Sequence, residues 1–153
     1  MSELSQIGNR LLVIFDGHCG LCNRAVRWFL SRDRLDRLRF VPSESPKVAP
    51  FLARHQIVET ENGFHSPTLA SSTILVVSNL DTPVERVLVR SNASIAMLRQ
   101  LPRPWPAVAT LMSWIPRPLR DLGYRLVARF RYRVSGRLET CPIPTAQERS
   151  RFL

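Results

Sequence analysis

Lysine is almost missing from this chain: Lys47 stands alone against 21 arginines. Acidic residues are few as well, 12 in 153, which leaves a formal net charge of +10. Such a field attracts nucleic acid, anionic lipid or acidic protein. No aromatic-interleaved basic patch and no nucleic-acid-binding motif accompanies it, so specific nucleic-acid binding is not expected, and an ordinary solvated arginine surface accounts for the charge. No apolar run approaches the ~20 residues needed to span a bilayer. The opening Met1-Ser2-Glu3-Leu4-Ser5-Gln6 lacks a basic start and an apolar stretch, so no secretory signal is expected and a cytoplasmic location is. Cysteine is sparse, with Cys19, Cys22 and Cys141 only, which fits a reducing compartment where thiols are more often catalytic or metal-binding than structural. Repeats and low-complexity tracts are missing too. With 44% hydrophobic residues, 1–153 is read as one domain with a real core.

What is present is concentrated at Asp16-Gly17-His18-Cys19-Gly20-Leu21-Cys22. The preceding run Leu11-Leu12-Val13-Ile14-Phe15 predicts a short buried strand, and Val26, Phe29 and Leu30 at i, i+3 and i+4 predict a helix over about 21–32. Two thiols three residues apart at a strand-to-helix turn are close enough for a disulfide. They also sit where unpaired N–H groups and the helix dipole favour a thiolate. A dithiol redox enzyme needs this: a low-pKa attacking sulfur with a resolving sulfur beside it. The competing reading is half of a zinc site. That needs two more ligands, drawn from Cys141, His18, His55 and His65, and the chain holds no second C-x-x-C and no H-x-x-x-H. The strand-turn-helix setting favours the redox dithiol over zinc and over two inert cysteines.

Further on, residues 38–41 predict a second strand ended by Pro42, and the βαβ unit requires a right-handed crossover and a parallel pair. A weak helix is expected over 46–56, and a polar loop over 59–71. Residues 73–77 and 84–89 read as an antiparallel hairpin. Ser91 is a candidate N-cap for a helix carrying Ile95, Leu98 and Leu101. The order β-α-β-(α)-β-β-α is thioredoxin-like, an α/β sheet in which the strand before the dithiol is central and presents the motif at its carboxyl end. Prolines at 102, 104, 106, 116 and 118 divide the remainder, 102–153, into helices over about 107–115 and 119–131, an extension packed on the sheet domain. The second helix carries Leu119, Leu122, Leu126 and Phe130 on one face, with arginines elsewhere. That face is expected to pack on its own domain; peripheral contact with an anionic membrane is the alternative.

The motif Asp16-Gly17-x-Cys19-x-x-Cys22 resembles the D-x-x-C-x-x-C signature of the DCC family of thiol-disulfide oxidoreductases, a divergent thioredoxin-like group. The likeness covers nearly the whole chain. It includes 34–42, Arg90-Ser91-Asn92-Ala93 (with Asn92 in place of an acid), Ile115-Pro116-Arg117, Tyr124-Arg125-x-x-Ala128-Arg129-x-Arg131-Tyr132, Gly136-Arg137 and the Arg151-Phe152-Leu153 ending. It implies protein-disulfide reductase-type activity with no cofactor beyond the dithiol, acting on a disulfide-containing protein or a small-molecule thiol or disulfide. Thioredoxins place a cis-proline before the third strand, facing the dithiol; here Ser72-Thr73 stands there, and Pro67 lies too far upstream.

Roles follow as expectations. Cys19, at the mouth of the turn, is the attacking thiolate, and Cys22, one turn in, resolves the mixed disulfide. His18 either supports the Cys19 thiolate or is a surface residue without a role. Asp16 is a proton relay for Cys22 or, more simply, caps the turn by an Asx-type hydrogen bond. Gly17 supplies a positive φ or room for a substrate chain. Ser72 or Thr73, opposite the cysteines, could donate to a sulfur. Cys141 is a second resolving thiol, a metal ligand with Cys19, Cys22 and a histidine in a partner-docking module, or a buried unreactive residue.

Overall fold

The computed structural model describes residues 7–60, 63–66, 73–140, 142 and 144–153; Met1, Pro67, Ser72 and Cys141 are among those outside them. The elements run β1 (Leu11–Phe15), α1 (Gly20–Arg32), β2 (Leu38–Pro42), α2 (Ala49–Arg54), β3 (Val58–Thr60), β4 (Gly63–His65), β5 (Ile74–Ser78), β6 (Arg86–Val89), α3 (Arg90–Gln100), α4 (Trp105–Trp114) and α5 (Arg117–Ser135). A 3₁₀ turn at Arg149–Arg151 precedes the end.

The main sheet has the order β2-β1-β5-β6. β1 pairs parallel with β2 and antiparallel with β5, and β5 pairs antiparallel with β6. The fold is therefore α/β and thioredoxin-like, with β1 interior as its uninterrupted apolar run requires. All five residues of β1 are buried. Leu11, Val13 and Phe15 join a core with Val26, Phe29 and Met97 from α1 and α3, while Leu12 and Ile14 join Phe51, Phe64 and Val77 on the opposite face. The carboxyl end of β1 thus delivers residues 16–19 to the start of α1 between two packed layers.

Four expectations need correction. The polar stretch 59–71 is not all loop, because Val58–Thr60 and Gly63–His65 pair antiparallel and Phe64 of the second strand is buried in the core. The helix over 46–56 shrinks to six residues, since the chain before it turns at Pro42 and Ser45. Ser91 does not cap α3; Val89 occupies that position, and the Ser91 hydroxyl donates to the buried Asp121 carboxylate of α5. The fourth concerns α5, which is turned opposite to expectation. It packs through Asp121, Tyr124, Arg131 and Tyr132, and leaves Leu119, Leu122, Leu126 and Phe130 exposed.

The tail closes the other edge. Phe152 lies edge-on to Phe15 at 6.4 Å and beside Phe40 at 6.1 Å, and Leu153 N–H donates to the Phe40 carbonyl at 3.0 Å.

Candidate functional site

Asp16 sets the turn. Its Oδ1 accepts the His18 backbone N–H at 2.9 Å, the Asx-type bond expected of it, and Oδ2 accepts the Tyr132 hydroxyl at 2.7 Å. Burial pushes the Tyr132 hydroxyl up, so it stays protonated and donates. Arg131 Nη2 stands 3.9 Å from the same carboxylate. Asn23 fastens the loop from within α1, its amide donating to the Gly17 carbonyl at 2.7 Å and the Cys19 carbonyl at 3.0 Å. Gly17 does not take the positive φ expected of it; among the described glycines of this region Gly136 does, at +71°.

Cys19 is the N-cap of α1, in extended conformation, and its Sγ accepts the Cys22 backbone N–H at 3.2 Å. A sulfur thus occupies the position where an N-cap oxygen usually sits, and a thiolate fills it better than a thiol because the donors there are positively polarised. Both cysteines are reduced. The hydrogen bond from Cys22, side chain and backbone, brings Cys19 from 9.0 down to about 7 despite opposing burial and the Asp16 charge. Cys22 moves upward, first through its hydrogen bond to Cys19 and then through burial. The two thiols of one turn are thereby shifted in opposite directions, Cys19 toward the thiolate and Cys22 toward the thiol.

Exposure departs from expectation. Cys19 does not sit open at the mouth of the turn; its accessibility is 0%, and that of Cys22 is 4%. The segment after α5 lies across the motif. Cys19 bridges to Arg137, Gly20 N–H donates to the Gly136 carbonyl at 3.4 Å, and Leu138 N–H donates to the His18 carbonyl at 2.7 Å. A Cβ at Gly20 would collide with the Ser135 carbonyl, so the glycine between the cysteines is what lets this strap approach. His18 serves the strap: its Nδ1 lies 3.1 Å from the Leu138 carbonyl, which can only accept, and its Nε2 lies 3.1 Å from Glu44. The cation acting on Cys19 is Arg131.

On its other side Cys22 borders a cavity of about 560 Å³ between α1, α3, α4 and α5. Its walls are mainly apolar, with Ile74, Leu119 and Val127 among them, and Thr73, Ser91, Tyr124 and Arg131 also line it. Thr73 is paired to Tyr124, hydroxyl to hydroxyl at 2.6 Å, and so faces the cavity rather than holding a sulfur. Among the described residues no three His, Cys, Asp or Glu side chains group as a metal site.

The model of the DCC1-like thiol-disulfide oxidoreductases matches residues 13–137, from β1 through α5 to the strap. This chain belongs to that family. Over 97% of its length and 96% of the relative's it is 30% identical to the protein YuxK of Bacillus subtilis. It is 28% identical to a chloroplastic DCC family protein of Arabidopsis thaliana, over 93% of this chain and 74% of that one. No solved structure matches it significantly. Because the family match reaches Arg137, the helices α4 and α5 belong to the shared DCC1-like unit. Arg131, Tyr132 and Gly136 carried a signal in the sequence, inside the family-like block, but nothing there said that they fold back onto the cysteines. Asn23 and Glu44 carried none.

Proposed function

We propose that this DCC1-like protein exchanges disulfides through a Cys19–Cys22 dithiol, in the manner of a protein-disulfide reductase. The observation that carries the reading is that Cys22 hydrogen-bonds Cys19, first through its thiol and also through its N–H, 3.2 Å from Cys19 Sγ; the thiol-to-thiol bond moves Cys19 down and Cys22 up. The Cys19 thiolate attacks one sulfur of a substrate disulfide, forms a mixed disulfide and expels the other substrate sulfur as a thiolate. Cys22 then gives up its proton and displaces the bound substrate sulfur from Cys19. This forms the Cys19–Cys22 disulfide and releases the second substrate thiol. Two electrons pass from the dithiol to the substrate, and an external thiol or dithiol restores the reduced protein. Asp16, whose charge bears on both sulfurs, is the candidate base for the Cys22 proton, relayed to the departing thiolates. The strap at 136–138 has to lift for a sulfur to reach Cys19, and the cavity beside Cys22 offers room for an apolar part of the substrate.

Insulin turnover and non-reducing gels test this on single variants. Cys19→Ser abolishes turnover; Cys22→Ser accumulates a mixed disulfide because the intramolecular exit is gone; Cys141→Ser keeps turnover. Loss of turnover in Cys141→Ser as complete as in Cys19→Ser would replace the two-thiol reading with a three-thiol relay or a metal site.

A further inference from the structure

An amphipathic helix on a water-soluble domain ordinarily turns its apolar stripe inward. α5 does the reverse. Its inward face carries Asp121, Tyr124, Arg131 and Tyr132, each engaged with the domain. Its outward face carries Leu119, Leu122, Leu126 and Phe130 at i, i+3, i+7 and i+11, with Leu119 60% exposed. The end of α4 and the turn that follows it add Trp114, 78% exposed, and Ile115. Stray exposed leucines need no explanation, but a continuous stripe of this kind does.

Charge decides what covers it. Arg125, Arg129 and Arg133 follow one another at i, i+4 and i+8 along one edge of the stripe, all exposed. Among the described residues no ion pair joins these three to an acid, and from 105 to 138 the only acidic residue is Asp121, which faces inward. A second copy packed stripe to stripe would gather six arginines, three from each copy, at one seam with no acidic side chain of α5 facing them, against Coulomb repulsion. A nucleic acid would meet leucine and valine where phosphate needs donors. An apolar stripe edged by arginine fits a surface that is negative at its boundary and apolar beneath: an anionic bilayer, with the helix lying in the interface plane. The arginine stems can reach up to the headgroups while the stripe sinks in. No described helix is long and apolar enough to cross a membrane, so the contact is peripheral.

We infer that the outward face of α5, with Trp114 and Ile115, docks this protein on anionic membranes. Leu119 and Val127 also line the cavity that reaches Cys22, so docking sets the cavity mouth beside the lipid. The inference stands apart from the dithiol chemistry and involves neither cysteine.

The test uses the full chain with phosphatidylcholine vesicles, pure or mixed with phosphatidylglycerol. The wild type should co-sediment with the mixed vesicles only. Leu126→Glu/Phe130→Glu should lower partitioning at least about tenfold, and Arg125→Glu/Arg129→Glu/Arg133→Glu on the order of a hundredfold. Arg24→Glu/Arg27→Glu, on exposed positions of α1, should keep it. In the otherwise unaltered chain, brominated acyl chains should quench the fluorescence that Trp114→Phe removes. Equal loss in the α1 variant would reduce the effect to net charge and overturn the docking face. Failure to bind mixed vesicles would overturn it too, as would a stable dimer that Leu126→Glu/Phe130→Glu dissociates.

Discussion

Gly20 stands where the first turn of α1 meets the end of α5, and its missing side chain is a packing requirement. Gly20→Ala would push against the Ser135 carbonyl, displacing the strap at a cost of about 1–3 kcal/mol. The expected result is a lower urea midpoint together with faster alkylation of Cys19; slower alkylation would contradict the strap's role. The titration of Cys19 follows first from the hydrogen bond of the Cys22 thiol and then from the Cys22 backbone N–H. Its alkylation by iodoacetamide in the native protein should rise with pH around a midpoint of about 7, and in Cys22→Ala, which keeps the N–H but removes the thiol, that midpoint should move up toward the ordinary 9.0. The sign for stability is set by the same depression. The reduced protein, measured against Cys19→Ser, should gain stability as pH rises from about 7 toward 9 and lose that increment as pH falls through 7. Cys22, shifted upward, works the other way above 9. Tyr132→Phe removes a donor from the buried Asp16 carboxylate and should cost about 1–2 kcal/mol. A neutral Tyr132→Phe in urea unfolding would show that water or Arg131 replaces the hydroxyl.

Among the elements, legibility in the sequence tracked how local the cause was. β1 was readable because five apolar residues between Arg10 and Asp16 leave no other place than a buried strand. α1 was readable from its 3.6-residue pattern, although its cap, Cys19, is a sulfur that propensity does not rank. The short β3–β4 hairpin was missed because its exposed Val58-Glu59-Thr60 carries no alternation, and only Phe64 points inward. Ser91 was misread because a distant carboxylate, Asp121, outbids the backbone for its hydroxyl. The placing of Cys19 and Cys22 at a strand-to-helix turn was legible from their spacing and their flanking apolar patterns. The strap that covers them was not, since it joins Cys19 to Arg137 across 118 positions by backbone contacts that leave no side-chain pattern.

For the molecule as a whole, the same long-range closure appears twice: the end of α5 returns to the motif, and the tail returns to β2. Phe152→Ala would empty the contact with Phe15 and Phe40 and should lower stability by about 2 kcal/mol, read from the urea midpoint with the slope unchanged. α5 explains why an amphipathic pattern gives a helix's existence but not its orientation. Turning Asp121, Arg131 and Tyr132 inward is favourable only because Ser91 and Asp16 on the domain receive them, and those partners are not visible in the helix's own sequence. The central claim, that Cys19 and Cys22 form one reversible two-electron couple, is tested most directly by equilibrating the protein with reduced and oxidised glutathione and counting free thiols by alkylation and mass. The account predicts a single transition with the slope of a two-electron couple, present in Cys141→Ser and lost in both Cys19→Ser and Cys22→Ser. A protein that keeps both thiols free across the whole glutathione range, or that loses them only to bound zinc, would contradict it.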